Sequence, residues 1–107
     1  MATQLFTRFF YFYKMEEKIL TQHPQGKKGV NILKRRYDEV KTILLDYIEK
    51  EGEPTFEKMA DDCAKKLEKT FDGKPLWYIV TVKPDLEARG IIERIPKTSP
   101  HKLRLKK

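Results

Sequence analysis

The sequence predicts an α+β domain in which three helices are followed by a C-terminal two-stranded β-hairpin. Three observations carry this. Apolar residues recur at helical spacing in two runs, 37–48 and 56–67. A third run closes on Leu86-Glu-Ala-Arg-Gly90, and glycine readily takes the left-handed geometry that ends a helix. Beyond it, Ile91–Ile95 and Lys102–Lys106 alternate apolar and polar residues across a polar break, Pro96–His101. Helix, glycine stop and hairpin follow one another as the recognition helix and wing of a winged-helix domain do. The expected helices lie within 31–51, 55–70 and 75–90, and the expected strands are 91–95 and 102–106.

The elements follow in chain order. Residues 1–14 read as an extension, with Met15 as a natural start for a single domain over 15–107. Residues 5–13 carry six aromatics, but Arg8 interrupts them, no cationic stretch precedes them and no A-x-A follows, so they do not read as a secretory signal. They are also far shorter than the roughly 20 apolar residues of a membrane span. Glu16–Thr21 reads as a short helix and His23–Gly29 as a loop. Asn31 is the expected N-cap of the first long helix, whose stripe is Tyr37, Val40, Leu44, Tyr47 and Ile48, with Gly52 and Pro54 ending it. Thr55 caps the second helix, whose stripe is Phe56, Met59, Ala60, Cys63 and Leu67.

Residues 76–82, Leu-Trp-Tyr-Ile-Val-Thr-Val, have the β-branched and aromatic content of a buried strand. Pro75 suits a first helical turn, however, and Pro75, Ile79, Val82 and Leu86 share one helical face. The segment is therefore read as a helix, kinked or irregular near Val80–Pro84, because an interior proline removes a backbone donor. Trp77, within this apolar run, reads as buried in the core or at a subunit contact.

Charge suggests a partner class. The formal charge is +7, with eight cations and two anions in residues 1–36, and six cations and no anion in 94–107. The segment between is acidic, with nine cations against fourteen anions. Basic ends favour a polyanion or an acidic partner. Cys63 is the sole cysteine, so an intramolecular disulfide is impossible and a cysteine zinc site cannot be built. It reads as a core residue in a reducing, cytoplasmic setting. No phosphate loop, H-E-x-x-H or serine elbow is present, so neither enzyme, cofactor nor metal is expected. His23 and His101 read as solvated loop histidines, and Asp61-Asp62 as a solvated pair.

The phrases Asp72-Gly73, Trp77-Tyr78, Val82-Lys83-Pro84-Asp85-Leu86-Glu87-Ala88-Arg89-Gly90-Ile91-Ile92-Glu93-Arg94 and Pro100-His101-Lys102-Leu103-Arg104-Leu105 resemble a small uncharacterised bacterial family of winged-helix architecture. The likeness spans about residues 20–105, with Pro84 standing where that family usually has Leu. More distantly the chain resembles winged helix-turn-helix regulators of the MarR and PadR type. The resemblance implies a winged-helix fold and DNA binding, and the expected role is a transcriptional regulator or accessory factor that binds double-stranded DNA weakly or as a homodimer, because a third helix so near neutral needs two half-sites. The alternative is a protein–protein interaction module with a degenerate winged helix.

Three elements are candidates for DNA. The third helix offers Lys74, Tyr78, Thr81, Lys83 and Arg89, although Asp85 and Glu87 would repel phosphates. The hairpin offers Arg94, Lys97, Thr98, Ser99, His101, Lys102 and Arg104. Lys27, Lys28, Lys34, Arg35 and Arg36 form a further basic cluster. With so neutral a third helix, phosphate contacts from the hairpin are expected to supply most of any affinity.

Overall fold

The computed structural model describes residues 17–107, so the expected extension 1–14 and its aromatics lie outside the described residues. The fold is α+β: three helices and two small antiparallel sheets. Strands β1 (Lys18–Leu20) and β2 (Asn31–Leu33) form the first sheet, with Ile19 opposite Ile32. Helices α1 (Lys34–Glu51), α2 (Phe56–Leu67) and α3 (Pro75–Ala88) follow. Strands β3 (Ile92–Arg94) and β4 (Leu103–Leu105) close the chain as a hairpin, with Glu93 opposite Arg104.

Two N-terminal expectations are corrected. Residues 18–20 are a strand, not part of a short helix, and Asn31 lies in β2 rather than capping α1. The cap position is Leu33, whose side chain makes no capping bond. Pairing overrides propensity here: three-residue strands carry too few residues to show an alternation, and Ile19 and Ile32 pack on the core.

The core follows the predicted stripes. Val40, Leu44 and Ile48 of α1, Met59, Cys63 and Leu67 of α2, and Ile79, Val82 and Leu86 of α3 are fully buried, joined by Ile92 and Leu103 of the hairpin. Burying each such aliphatic side chain contributes roughly 1.5–3 kcal/mol. Thr55 caps α2 as expected, its side chain accepting from the Lys58 amide at 3.2 Å. Burial raises the Cys63 thiol to about 11, which suits an inert core residue.

The expected third helix is present and continues through Pro84. Pro84 is half-buried beside Val80 and Thr81, and without an amide hydrogen it forfeits the bond to the Val80 carbonyl. The end of α3 follows the glycine signal. Gly90 has φ +74°, its amide donates to the Glu87 carbonyl at 3.1 Å, and Ile91 donates to the Leu86 carbonyl at 2.9 Å, the paired bonds of a Schellman stop.

The hairpin is tied to the start of α2. Leu103 donates to the Pro54 carbonyl at 2.9 Å, Phe56 donates to the His101 carbonyl at 3.1 Å, and Thr55 bridges Lys102 antiparallel. The Phe56 ring stacks on His101 with centroids 5.4 Å apart, and the Lys83 ammonium lies 5.3 Å from the Phe56 centroid.

Candidate interaction surface

The side chains expected to reach DNA from α3 are mostly spent inside the molecule. Tyr78 is buried: its hydroxyl accepts from Arg36 Nη1 at 2.9 Å and its ring meets Phe71 edge-on at 5.0 Å. Lys83 is ion-paired with Glu87 four residues on, and both are largely shielded. Arg89 pairs with Asp85 at 2.9 Å and also donates to the Leu20 carbonyl at 3.4 Å. Thr81 is half-buried and donates its hydroxyl to the Trp77 carbonyl at 2.8 Å. Lys74 alone of these five is an exposed cation outside any ion pair among the described residues.

Asp85 is not the surface anion the sequence suggests. It is fully buried and accepts from the Gln22 amide at 2.8 Å, from the Tyr37 hydroxyl and from Arg89 Nε. Burial, together with the bond to Asp85, holds the Tyr37 phenol well above its ordinary range, so it remains a donor. This cluster fastens the N-terminal hairpin to α1 and α3.

Three members of the further basic cluster, at the start of α1, are likewise ion-paired within the molecule. Lys34 pairs with Asp38 at 2.8 Å, while Arg35 and Arg36 both bind Asp72, at 2.9 and 3.0 Å. These guanidinium bonds hold the Asp72 carboxyl well below the usual carboxylate range. Lys27 and Lys28 remain exposed in the loop between β1 and β2. Asp62 is another correction: it accepts from the Tyr47 hydroxyl at 2.7 Å instead of standing in solvent.

On the hairpin the expected residues divide. Arg94, Lys97, Ser99 and Lys102 are exposed. Arg104 is paired with Glu93 across the strands at 3.1 Å. Thr98 shapes the turn, donating to the Ile95 carbonyl at 2.8 Å and accepting from the Lys102 amide at 3.0 Å. His101 is not a solvated loop histidine, since it stacks on Phe56 and its Nε2 is buried without a partner.

Burial lowers the His101 pKa, with Lys83 and Arg94 adding repulsion and Glu87 partly opposing them. A lowered folded value means that the unfolded chain takes the proton first. Stability is therefore complete above about pH 6.5, the ordinary histidine value, and is lost as pH falls through the folded value. Thermal melts at pH 7.5 and 5.5 are expected to show a larger drop for the wild type than for His101→Phe. Equal drops would remove His101 as the cause.

What α3 does present outward was missed. Leu76, Trp77 and Val80 are 55%, 48% and 51% exposed, so Trp77 is not a core residue of this chain. Leu76, Val80 and Pro84 form one row at four-residue spacing, with Trp77 and Thr81 in the next row. The opposite face, Tyr78, Ile79, Val82 and Leu86, is in the core, so α3 is apolar nearly all round. A helix of that kind is ordinarily covered on every side. The only signal in the sequence is the unbroken apolar run itself, which does not say what covers the outer rows.

Two recesses flank this stripe. One, of about 180 Å³, lies between Val30, with Lys28 and Gly29, and Val80, Thr81 and Pro84. The other, of about 380 Å³, is lined by Arg36, Gly73, Lys74, Trp77 and Tyr78. Among the described residues no group of three or more His, Cys, Asp or Glu is placed to hold a metal ion, and no helix is long and apolar enough to cross a membrane.

A family model matches residues 18–103, that of a family of unknown function, DUF6958. Comparison with curated proteins and with solved structures finds no match.

Proposed function

Because the chain belongs to this family of unknown function, its role has to be read from its own surfaces, and we propose that it is a winged-helix protein-interaction module that docks a protein on the outer face of α3. The winged-helix reading is supported by the helix order, by the glycine stop of α3 leading into the β3–β4 hairpin, and by the pairing of Pro54–Phe56 along β4. One observation carries the functional part. The helix that would enter a major groove exposes Leu76, Trp77 and Val80, while Tyr78, Lys83 and Arg89 are engaged internally. Exposed apolar patches on a soluble domain mark contact sites, and base edges and phosphates offer such a face little.

A second reading, DNA contact through the hairpin, is favoured by Arg94, Lys97 and Lys102, which are exposed and outside ion pairs among the described residues. Contact of that kind would be with phosphates and independent of sequence.

Affinity purification of the full chain at native expression level separates the two. Leu76→Glu/Val80→Glu is expected to lose a stoichiometric protein partner that the wild type and Lys97→Ala/Lys102→Ala both keep. Exposed substitutions of this kind change stability by about 0.5 kcal/mol or less, so a melt serves as the folding control. Duplex DNA anisotropy at about 50 and about 200 mM salt is expected to show weak, salt-suppressed binding without sequence preference. Sequence-specific binding lost in the hairpin variant, with no partner lost in the α3 variant, would reverse the order of the two readings.

A further inference from the structure

Resting on the interaction reading, we infer that the occupant of the α3 face is an acidic amphipathic helix, seated with its apolar side along Leu76, Val80 and Pro84 and its carboxylates at the two ends of the stripe.

The shape argument comes first. From residue 76 to residue 84 the stripe is about 12 Å long at the helical rise, so it accommodates about two turns of a partner helix. Rows at four-residue spacing are the ridges between which a second helix packs its own. The recess between Val30 and Val80 lies beside the stripe, and its volume of about 180 Å³ is that of an apolar side chain or more.

Charge then selects the partner. Lys28 lines the recess at one end and Lys74 the recess at the other, and neither is ion-paired among the described residues. Nearby carboxylates are already consumed. Asp72 is held by Arg35 and Arg36, and Asp85 is buried against Arg89. Among the described residues, Lys28 and Lys74 thus leave the rim cationic at both ends. A second copy of this chain docking by the same face would bring Lys28 and Lys74 against like charges, because a twofold contact uses the same patch on both sides. A flat anionic bilayer would satisfy the charges but leave the recesses unfilled.

Trp77 is the only tryptophan and sits on the stripe, so its fluorescence reports directly on occupancy. The full chain would be titrated with three synthetic helical peptides of about 18 residues. The first carries Leu at i, i+4, i+7 and i+11 with Glu on its flanks, the second has Lys in place of Glu, and the third has Ser in place of Leu. The expected result is a saturable blue shift with the Leu/Glu peptide alone, weakened about tenfold in Lys28→Glu/Lys74→Glu. A response as large with the Lys peptide, no saturable response to any, or an equal shift with phosphatidylglycerol vesicles would overturn the proposal. So would a concentration-dependent shift without peptide that tracks dimer mass. If the peptide panel fails while Leu76→Glu/Val80→Glu still loses a protein partner in purification, the acidic-helix chemistry falls and the interaction module stands. If both fail, the α3 face is not a docking site.

Discussion

Asp85→Ala is expected to cost about 3–5 kcal/mol, the range for removing one member of a buried charge pair, and so to take away much of the stability of a domain this size. The side chain is fully buried and satisfies three donors from three parts of the chain: the Gln22 amide after β1, the Tyr37 hydroxyl in α1 and the Arg89 guanidinium at the end of α3. Alanine leaves a hydroxyl, an amide and a cation without their acceptor at once. Asp85→Asn keeps the shape and one acceptor oxygen, so its loss should be smaller. At about 4 °C or more per kcal/mol for a chain of this length, the alanine variant should melt at least about 12 °C below the wild type by circular dichroism. A shift of only a degree or two would mean that the cluster is solvated and contributes little.

Gly29→Ala is the second large effect. A Cβ at position 29 would lie 1.7 Å from the Thr21 carbonyl oxygen and 2.7 Å from its carbon. Backbone cannot swing aside there as a flexible side chain can, because Thr21 donates to the Val30 carbonyl at 2.9 Å and accepts from the Val30 amide on its Oγ1 at 2.9 Å. Overpacking of a tight site costs about 1–3 kcal/mol, and this one should fall at the upper end. Gly26→Ala is the control. That position has φ +72° but open space around it, so only the left-handed strain of about 1–2 kcal/mol applies. Amide exchange at Thr21 and Val30 should accelerate strongly in Gly29→Ala and little in Gly26→Ala. Similar exchange in both would show that the hairpin does not depend on this contact.

The contrast between what the sequence revealed and what it concealed is instructive at particular residues. The stripes of α1 and α2, the Thr55 cap and the Gly90 stop were legible because each is written in residues within four or five positions of one another. Asp85 was not, because its partner Tyr37 is 48 positions away and nothing around Asp85 distinguishes a buried carboxylate from a solvated one. Arg35 and Arg36 looked like a polyanion site for the same reason, since Asp72 lies 37 and 36 residues on. Trp77 failed differently. Apolar character at every turn of α3 removes the polar face by which a helix normally declares its outside, so the core half and the exposed half read alike. On the candidate surface Lys74, Arg94, Lys97 and Lys102 are exposed and Arg104 is paired with Glu93, whereas the outer apolar rows of α3 read as core.

The Phe56 ring, at the first turn of α2, meets His101 of the hairpin and Lys83 of α3 together, and the same corner carries the backbone bonds from Pro54 and Phe56 to the hairpin. One aromatic ring thus joins the hairpin to two helices at a single corner. Phe56→Ala should therefore loosen the hairpin from the helices, read as faster amide exchange at Leu103, whose amide donates to the Pro54 carbonyl.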